Sequence, residues 1–257
     1  MTDVRTLDRR DLEARVKQMY EQVALTPAAD FHFETGRGLA EQLGYPSADL
    51  DAIPAPAIDS FAGVGYFLDL AAIRPGEQVL DLGSGSGMDS FLAARACGPT
   101  GGVIGVDMTT AQLDKATRLA TESGFGQVEF RKGYIEELLV GRGTVDCVIS
   151  NGVINLSPDK QAVFLAAAAA LRPGGRLAIA DIVSSRHLPE GITCNASLWA
   201  ACIGGAAQRD DYLGAIRDAG FETAVVRDND YRFVSDRALG ATTKYGVTSI
   251  SVLAVKN

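Results

Sequence analysis

Residues 79–90 read VLDLGSGSGMDS, an apolar run that ends in the acid Asp81 and then three glycines, Gly83, Gly85 and Gly87, within five positions. Glycines between a strand and a helix let backbone N–H groups approach a ligand closely and present it with the positive end of the helix. Nucleotide-containing ligands are the first chemistry this suggests. The dinucleotide fingerprint spaces its glycines G-x-G-x-x-G, whereas this loop reads G-x-G-x-G with Met88 where the last glycine belongs. The plain alternative is a strand-to-helix turn that needs positive φ and binds nothing.

Three further features weigh against a bare turn. Asp107 closes the run VIGVDMT, where folds of this kind place a carboxylate that accepts ribose hydroxyls. Asp81, just before the glycines, suits a positively charged group and would repel a pyrophosphate. The stretch GYIEEL then offers Gly133, Tyr134, Ile135 and Glu136 to flank a purine, with Ile135 against its face. Each acid taken alone reads equally well as a helix cap. Together, an apolar face, a ribose acid and a cation-tolerant loop suit S-adenosylmethionine better than NAD.

The elements that must position these residues follow from periodicity. From Gln78 onward, short β-branched runs (EQVLDLG, GVIGVDM, QVEFRKG, VDCVISN, GRLAIADIV) alternate with helical segments, the signature of βαβ units and a parallel sheet. Two closing runs, FETAVVRD and GVTSISVLAVK, are separated by what reads as a loop too short for a crossover helix, so the last strand is expected antiparallel to its neighbour. The expected fold is α/β: a Rossmann-like, seven-stranded, mostly parallel sheet with an antiparallel strand near one edge and helices on both faces. Residues 9–24 read as an amphipathic helix through Leu12, Val16, Met19 and Val23, and residues 31–60 as loop and short helix. Residues 1–60 are thus expected to form a helical lid or arm and residues 61–257 the main domain. Residues 184–210 interrupt the alternation after the fifth strand, as an insertion over the carboxyl ends of the strands, where open α/β sheets bind ligands.

Composition narrows the partners. Against 32 Asp and Glu stand 24 Lys and Arg, for a net charge of −8, and no basic cluster exceeds Arg9–Arg10. That distribution lacks the footprint of a nucleic-acid binder. No apolar stretch is long enough to span a bilayer and the N-terminal residues do not read as a signal peptide, so a cytoplasmic protein with a small-molecule substrate is expected. The four cysteines show no zinc-ligand spacing, and neither a disulfide framework nor a structural metal is expected. Nothing in the sequence sets the oligomeric state.

The segments VLDLGSGSGMD, VIGVDMT, GYIEEL, ISNGVINLSPDK, LRPGGRLAIADIV, LWAACIGGA and YRFVS resemble the class I S-adenosylmethionine-dependent methyltransferases and, within them, the arsenite methyltransferase family. The resemblance covers roughly residues 61–257. It implies an enzyme that uses S-adenosylmethionine, yields S-adenosylhomocysteine and keeps Gly83, Ser84, Gly85 and Gly87 around the methionine moiety. It implies Asp107 and Met108 at the ribose and adenine, Ile135 and Glu136 at the adenine, and Asn151 lining the methyl-donor pocket. Arsenite methyltransferases hold their soft, thiophilic acceptor with cysteines. By that resemblance Val64 and Gly152 stand where two of the thiols belong, and Cys202 retains a third.

Cys194 lies eight residues before Cys202, about two turns away if the segment is helical, so a shared acceptor site would need a break in the helix. A structural role for both thiols is the alternative. Cys97 and Cys147 read as core residues. With fewer than three thiols, an acceptor arsenic would have positions left for a free thiol such as glutathione. An arsenic lone pair needs no general base; an organic acceptor can need one, and His32, Glu34, Asp181 and His187 are the candidates. Three functions remain open: methylation of arsenite or a related metalloid, methylation of a small organic metabolite, and a non-catalytic nucleotide-binding module.

Overall fold

A computed structural model describes residues 9–193, 199, 203–234 and 236–257. Five helices precede the sheet: α1 (Arg9–Leu25), α2 (Gly36–Gln42), α3 (Ser47–Leu50), α4 (Ala55–Asp59) and α5 (Leu68–Ala71). Strands and helices then alternate as β1 (Gln78–Leu82), α6 (Met88–Cys97), β2 (Gly102–Asp107), α7 (Thr110–Glu122), β3 (Val128–Lys132), β4 (Val145–Asn151), α8 (Lys160–Ala170) and β5 (Leu171–Ser184). The chain closes with α9 (Glu190–Thr193), β6 (Ala207–Gln208), α10 (Arg209–Asp218), β7 (Phe221–Asp228), α11 (Asp236–Tyr245) and β8 (Val247–Lys256).

The strands run in the order β3-β2-β1-β4-β5-β8-β7, parallel from β3 to β5, with β8 antiparallel to both β5 and β7. The expected antiparallel strand near one edge is therefore present. The sheet has eight strands rather than seven, because β6 pairs parallel with Val183 and Ser184. Two residues are too few for a hydrophobic alternation to announce them. The connection between β7 and β8 also holds a full helix, α11, where a short loop was expected. Antiparallel pairing survives because β8 enters the sheet between β5 and β7 rather than beside a parallel neighbour.

Strand periodicity explains why both faces are covered. Val79, Val103, Cys147, Ile149, Ala178 and Ala180 point to one side, where Ala93, Ala94 and Cys97 of α6 meet them. Leu80, Leu82, Val148, Leu177 and Ile179 point to the other, against Val163, Phe164 and Ala167 of α8 and Tyr212 and Ile216 of α10. Successive side chains of a strand face opposite ways, and helices on both faces bury both sets. Cys97 and Cys147 are free core thiols, as expected, and burial pushes the Cys147 thiol up to about 12.

The N-terminal helices form a third apolar cluster, in which Leu39, Tyr45, Leu50, Ile58 and Phe61 pack on Met88, Phe91 and Leu92 of α6. The predicted apolar stripe of α1 buries Leu12, Val16 and Val23, with Met19 half-buried. Its carbonyls tie it to α7: Gln112 Nε2 donates to Tyr20 O at 2.9 Å and Lys115 Nζ to Ala24 O at 3.2 Å. No helix among the described residues is long and apolar enough to cross a membrane.

Candidate active site

In a parallel sheet every strand delivers its carboxyl end to the same edge, so residues distant in sequence converge there. The ends of β1, β2 and β4 and the segment after β3 surround a cavity of about 420 Å³. Of the site residues expected from the sequence, Asp81, Gly83, Ser84, Gly85, Asp107, Met108, Ile135, Glu136 and Asn151 all line it. The α1 helix closes part of it with Leu12, Glu13, Val16 and Tyr20.

The glycine loop is folded back on β2: Gly83 and Ser84 donate their N–H groups to Val106 O at 2.7 and 3.1 Å. Gly83 has φ +73, and a β-carbon there would sit within 2.4 Å of a Val153 methyl group, so only glycine fits. Gly85 turns its N–H to Asp107 Oδ2 at 3.0 Å, while Thr109 N–H takes Asp107 Oδ1 at 2.8 Å. Burial raises the Asp107 carboxyl, and those two backbone donors oppose the rise. Gly87 corrects the sequence reading. It does not line the cavity; it caps α6 at φ +94, where a β-carbon would meet Phe130 at 2.7 Å and Phe91 at 2.9 Å. Its glycine serves packing beneath the loop.

One acid of the cavity wall is not anticipated by the sequence reading. Asp89, in the first turn of α6, accepts from Tyr45 Oη at 2.7 Å and from Asn151 Nδ2 at 3.1 Å. The same Asn151 amide reaches Tyr45 Oη at 3.0 Å and Gly65 O at 3.0 Å, and its Oδ1 accepts Val64 N–H at 2.8 Å. Asn151 thus ties the end of β4 to α6 and to the stretch before β1. Burial pushes Asp89 up to about 6, and burial together with the Asp89 charge pushes Asp81 up to about 8. Ser90 Oγ donates to Asp81 Oδ2 at 2.6 Å.

Seven carboxylates line the cavity: Asp81 and Asp89 buried, Asp107, Glu13 and Glu136 half-buried, Glu137 and Asp159 exposed. No Lys, Arg or His does so among the described residues. Lys17 and Lys160 border it: Lys17 pairs with Glu13 and Tyr134 of the wall, leaving the other six carboxylates, and Lys160 bonds the carbonyls of Asn155 and Ser157. Such a wall repels pyrophosphate and attracts a cation, which fits the sulfonium and ammonium of S-adenosylmethionine and not the phosphates of NAD. Ser84 Oγ, buried in the wall and without a hydrogen-bond partner, adds an unused polar atom for such a ligand.

The base candidates do not reach the cavity. Asp181 is buried within β5, accepting from Tyr212 Oη at 2.7 Å and Asn155 Nδ2 at 2.6 Å. His187 is exposed and pairs with Asp211 at 3.6 Å, and the His32 ring lies edge-on to Phe33. Neither these nor Glu34 line it. Cys194 and Cys202 lie outside the described residues. Near them, Trp199 is buried, donates from Nε1 to Thr193 O at 2.6 Å and carries Lys160 Nζ 5.0 Å from its ring centroid.

Known proteins match this chain at every level. A family model described as a methyltransferase domain matches residues 73–220. An arsenite methyltransferase of Halobacterium salinarum is 42% identical over 205 residues, 79% of this chain and 52% of its own length. Another, of Aquipseudomonas alcaligenes, is 40% identical over 185 residues, 69% of this chain and 51% of its own. The chain spans about half the length of these curated relatives. Among solved structures, an arsenic (III) S-adenosylmethionine methyltransferase from Chlamydomonas reinhardtii superposes with a TM-score of 0.71 at 31% identity, covering 82% of this chain and 73% of that one. A cavity walled by carboxylates at the strand ends and these four likenesses agree: the chain belongs to the S-adenosylmethionine-dependent methyltransferases, in the family of the arsenite methyltransferases.

Proposed function

We propose that the chain binds S-adenosylmethionine in the acidic cavity and methylates a small uncharged acceptor, a trivalent metalloid such as arsenite. The observation that carries the donor half is the character of the wall, seven carboxylates and no Lys, Arg or His among its described lining residues. The bound donor supplies an electrophilic methyl group on a sulfonium. Asp107 holds the ribose hydroxyls with the oxygen lone pairs left beside its two backbone donors, and Met108 and Ile135 cover the purine. Glu136, itself held by Ser157 Oγ at 2.5 Å, takes a polar edge of the purine. Asp81 and the loop from Gly83 to Gly85 receive the amino-acid end. Asn151, fixed by four partners, keeps the wall at the end of β4 rigid, so that an acceptor beside Gly152 meets the methyl group in line.

The same wall disfavours anionic acceptors, because its carboxylates outnumber any cation beside them and would repel a carboxylate or phosphate. Arsenite in its neutral hydroxide form is tolerated. Its lone pair attacks without a general base, which agrees with the absence of histidine from the described wall. The helices within residues 9–60 act as a lid that excludes water. A cytoplasmic setting, where glutathione stays reduced, supplies the free thiol that a reduced cysteine set would require.

A second reading, methylation of an uncharged organic metabolite, is favoured by one observation: Val64 and Gly152 stand against each other with no thiol between them. One experiment separates the two. The protein is incubated with S-adenosylmethionine, arsenite and excess glutathione, and products are separated by chromatography with arsenic detection. Methylated arsenic that disappears in Cys202→Ser supports the metalloid. None, from protein that binds S-adenosylhomocysteine in calorimetry, turns the acceptor site to an organic molecule.

A further inference from the structure

Asp81 and Asp89 are both buried, 3% and 7% exposed, and both line the cavity. The partners that face them are neutral: Ser90 on Asp81, Tyr45 and Asn151 on Asp89. The other titratable groups within electrical reach make matters worse or add nothing. Asp107, from the end of β2, bears on Asp81, and Tyr66, edge-on to Tyr45, is itself raised partly by Asp89. Of the backbone donors of the loop, Gly83 and Ser84 bond Val106 O and Gly85 bonds Asp107, so none of these three serves this pair. Two buried carboxylates of one cavity wall that face only neutral partners resist ionising together in the free protein, so the pair as a whole retains a proton.

We propose that Asp81 and Asp89 act as one coupled pair that surrenders a proton when the sulfonium donor binds and regains it with the product, so that the site favours the donor over a product that lacks the charge at sulfur. The inference rests on the cavity being the donor site. S-adenosylmethionine and S-adenosylhomocysteine carry the same amino and carboxylate groups and differ by one positive charge at sulfur. A wall that merely recognised the amino-acid end would treat the two alike. A pair that must ionise fully to neutralise the extra charge binds the donor with release of more protons than the product.

The test is calorimetry of the full chain with each ligand at pH 6.0, below the titration range of the ligands' own α-amino groups. Buffers of different ionisation enthalpy give the number of protons released. The expected result is that S-adenosylmethionine releases more than S-adenosylhomocysteine, by about half a proton or more. The donor's affinity then climbs more steeply with pH than the product's, and Asp89→Asn shrinks the difference. Because the comparison is made on the unaltered protein, it does not depend on a variant folding. Equal proton counts for two ligands that both bind overturn the proposal while leaving the donor site intact. Binding of neither ligand overturns the donor site itself.

Discussion

Gly152 and Val64 face one another across the end of β4: a β-carbon on Gly152 would stand 3.2 Å from Val64 Cγ1. By family resemblance these are two positions where thiols hold arsenic, and the fold makes them neighbours although 87 residues separate Val64 from Asn151, the residue that its N–H binds. The double variant Val64→Cys, Gly152→Cys would place two sulfurs within van der Waals reach. Its expected gain is tighter arsenite binding than in the parent protein, read by calorimetry under reducing conditions. Unchanged binding would show that the acceptor does not lie between these residues. Gly152 has φ +69, so Gly152→Cys alone carries about 1–2 kcal/mol of backbone strain and melts a few degrees lower.

Asp107→Ala removes the acceptor of two backbone N–H bonds along with the proposed ribose contact. Hydrogen bonds to a charged group contribute about 1.5–3 kcal/mol each, so affinity for S-adenosylhomocysteine should fall by about 10- to 100-fold. Asp107→Glu, with the charge retained but displaced, should lose less. Calorimetry reads both, and unaltered affinity in the alanine variant would remove Asp107 from the ligand.

The raised carboxyls make the free protein's stability depend on pH in the sense opposite to a salt-bridged acid. Asp81 keeps its proton up to about 8 when folded but loses it near 3.8 in the unfolded chain. Across that window the folded state binds more protons, so stability is greatest at the acid end and is lost as pH rises through the folded value. Asp89, raised to about 6, acts in the same direction. The melting temperature without ligand should fall from pH 5 to pH 8, and Asp81→Asn should flatten the profile. A melting temperature that rises steadily over that range would contradict the burial of this pair.

How much of this was legible in the sequence follows from how local each cause is. Asp81, Gly83, Gly85 and Asp107 are fixed by β1, β2 and the turn between them, a unit short enough for motif and periodicity to show. Asp89 stood in the quoted motif yet went unread, because its partner Tyr45 is 44 residues away and only tertiary packing joins them. Gly87 was read as part of the cradle because its reason for being glycine, the rings of Phe91 and Phe130, is a contact between elements. β6 has too few residues for a pattern, and α11 was hidden by a stretch read as loop. The amphipathic stripe of α1 was plain and a lid or arm was expected of it, but not that it would lie on α7.

That placement of α1 rests on a compact polar contact. Tyr134 Oη donates to Glu13 Oε1 at 2.6 Å, Lys17 Nζ donates to the same oxygen at 2.5 Å, and Lys17 Nζ also reaches Tyr134 Oη at 3.0 Å. Tyr134 follows β3 and flanks the proposed purine site, so these bonds tie α1 to the cavity wall. Tyr134→Phe keeps the ring but loses both bonds. Partly exposed charged contacts are worth about 0.5–1 kcal/mol, so release of S-adenosylhomocysteine should quicken by about 2- to 5-fold in stopped-flow, with little change in melting temperature. Hydrogen bonds from Lys17 and Tyr134 hold Glu13 below its ordinary value of 4.5, so the contact is complete above that value and is lost only as pH falls through the lowered one. The variant's faster release should therefore be constant from pH 6 to 8 and converge with the parent's only in acid; an unchanged release rate throughout would show that α1 does not gate the site.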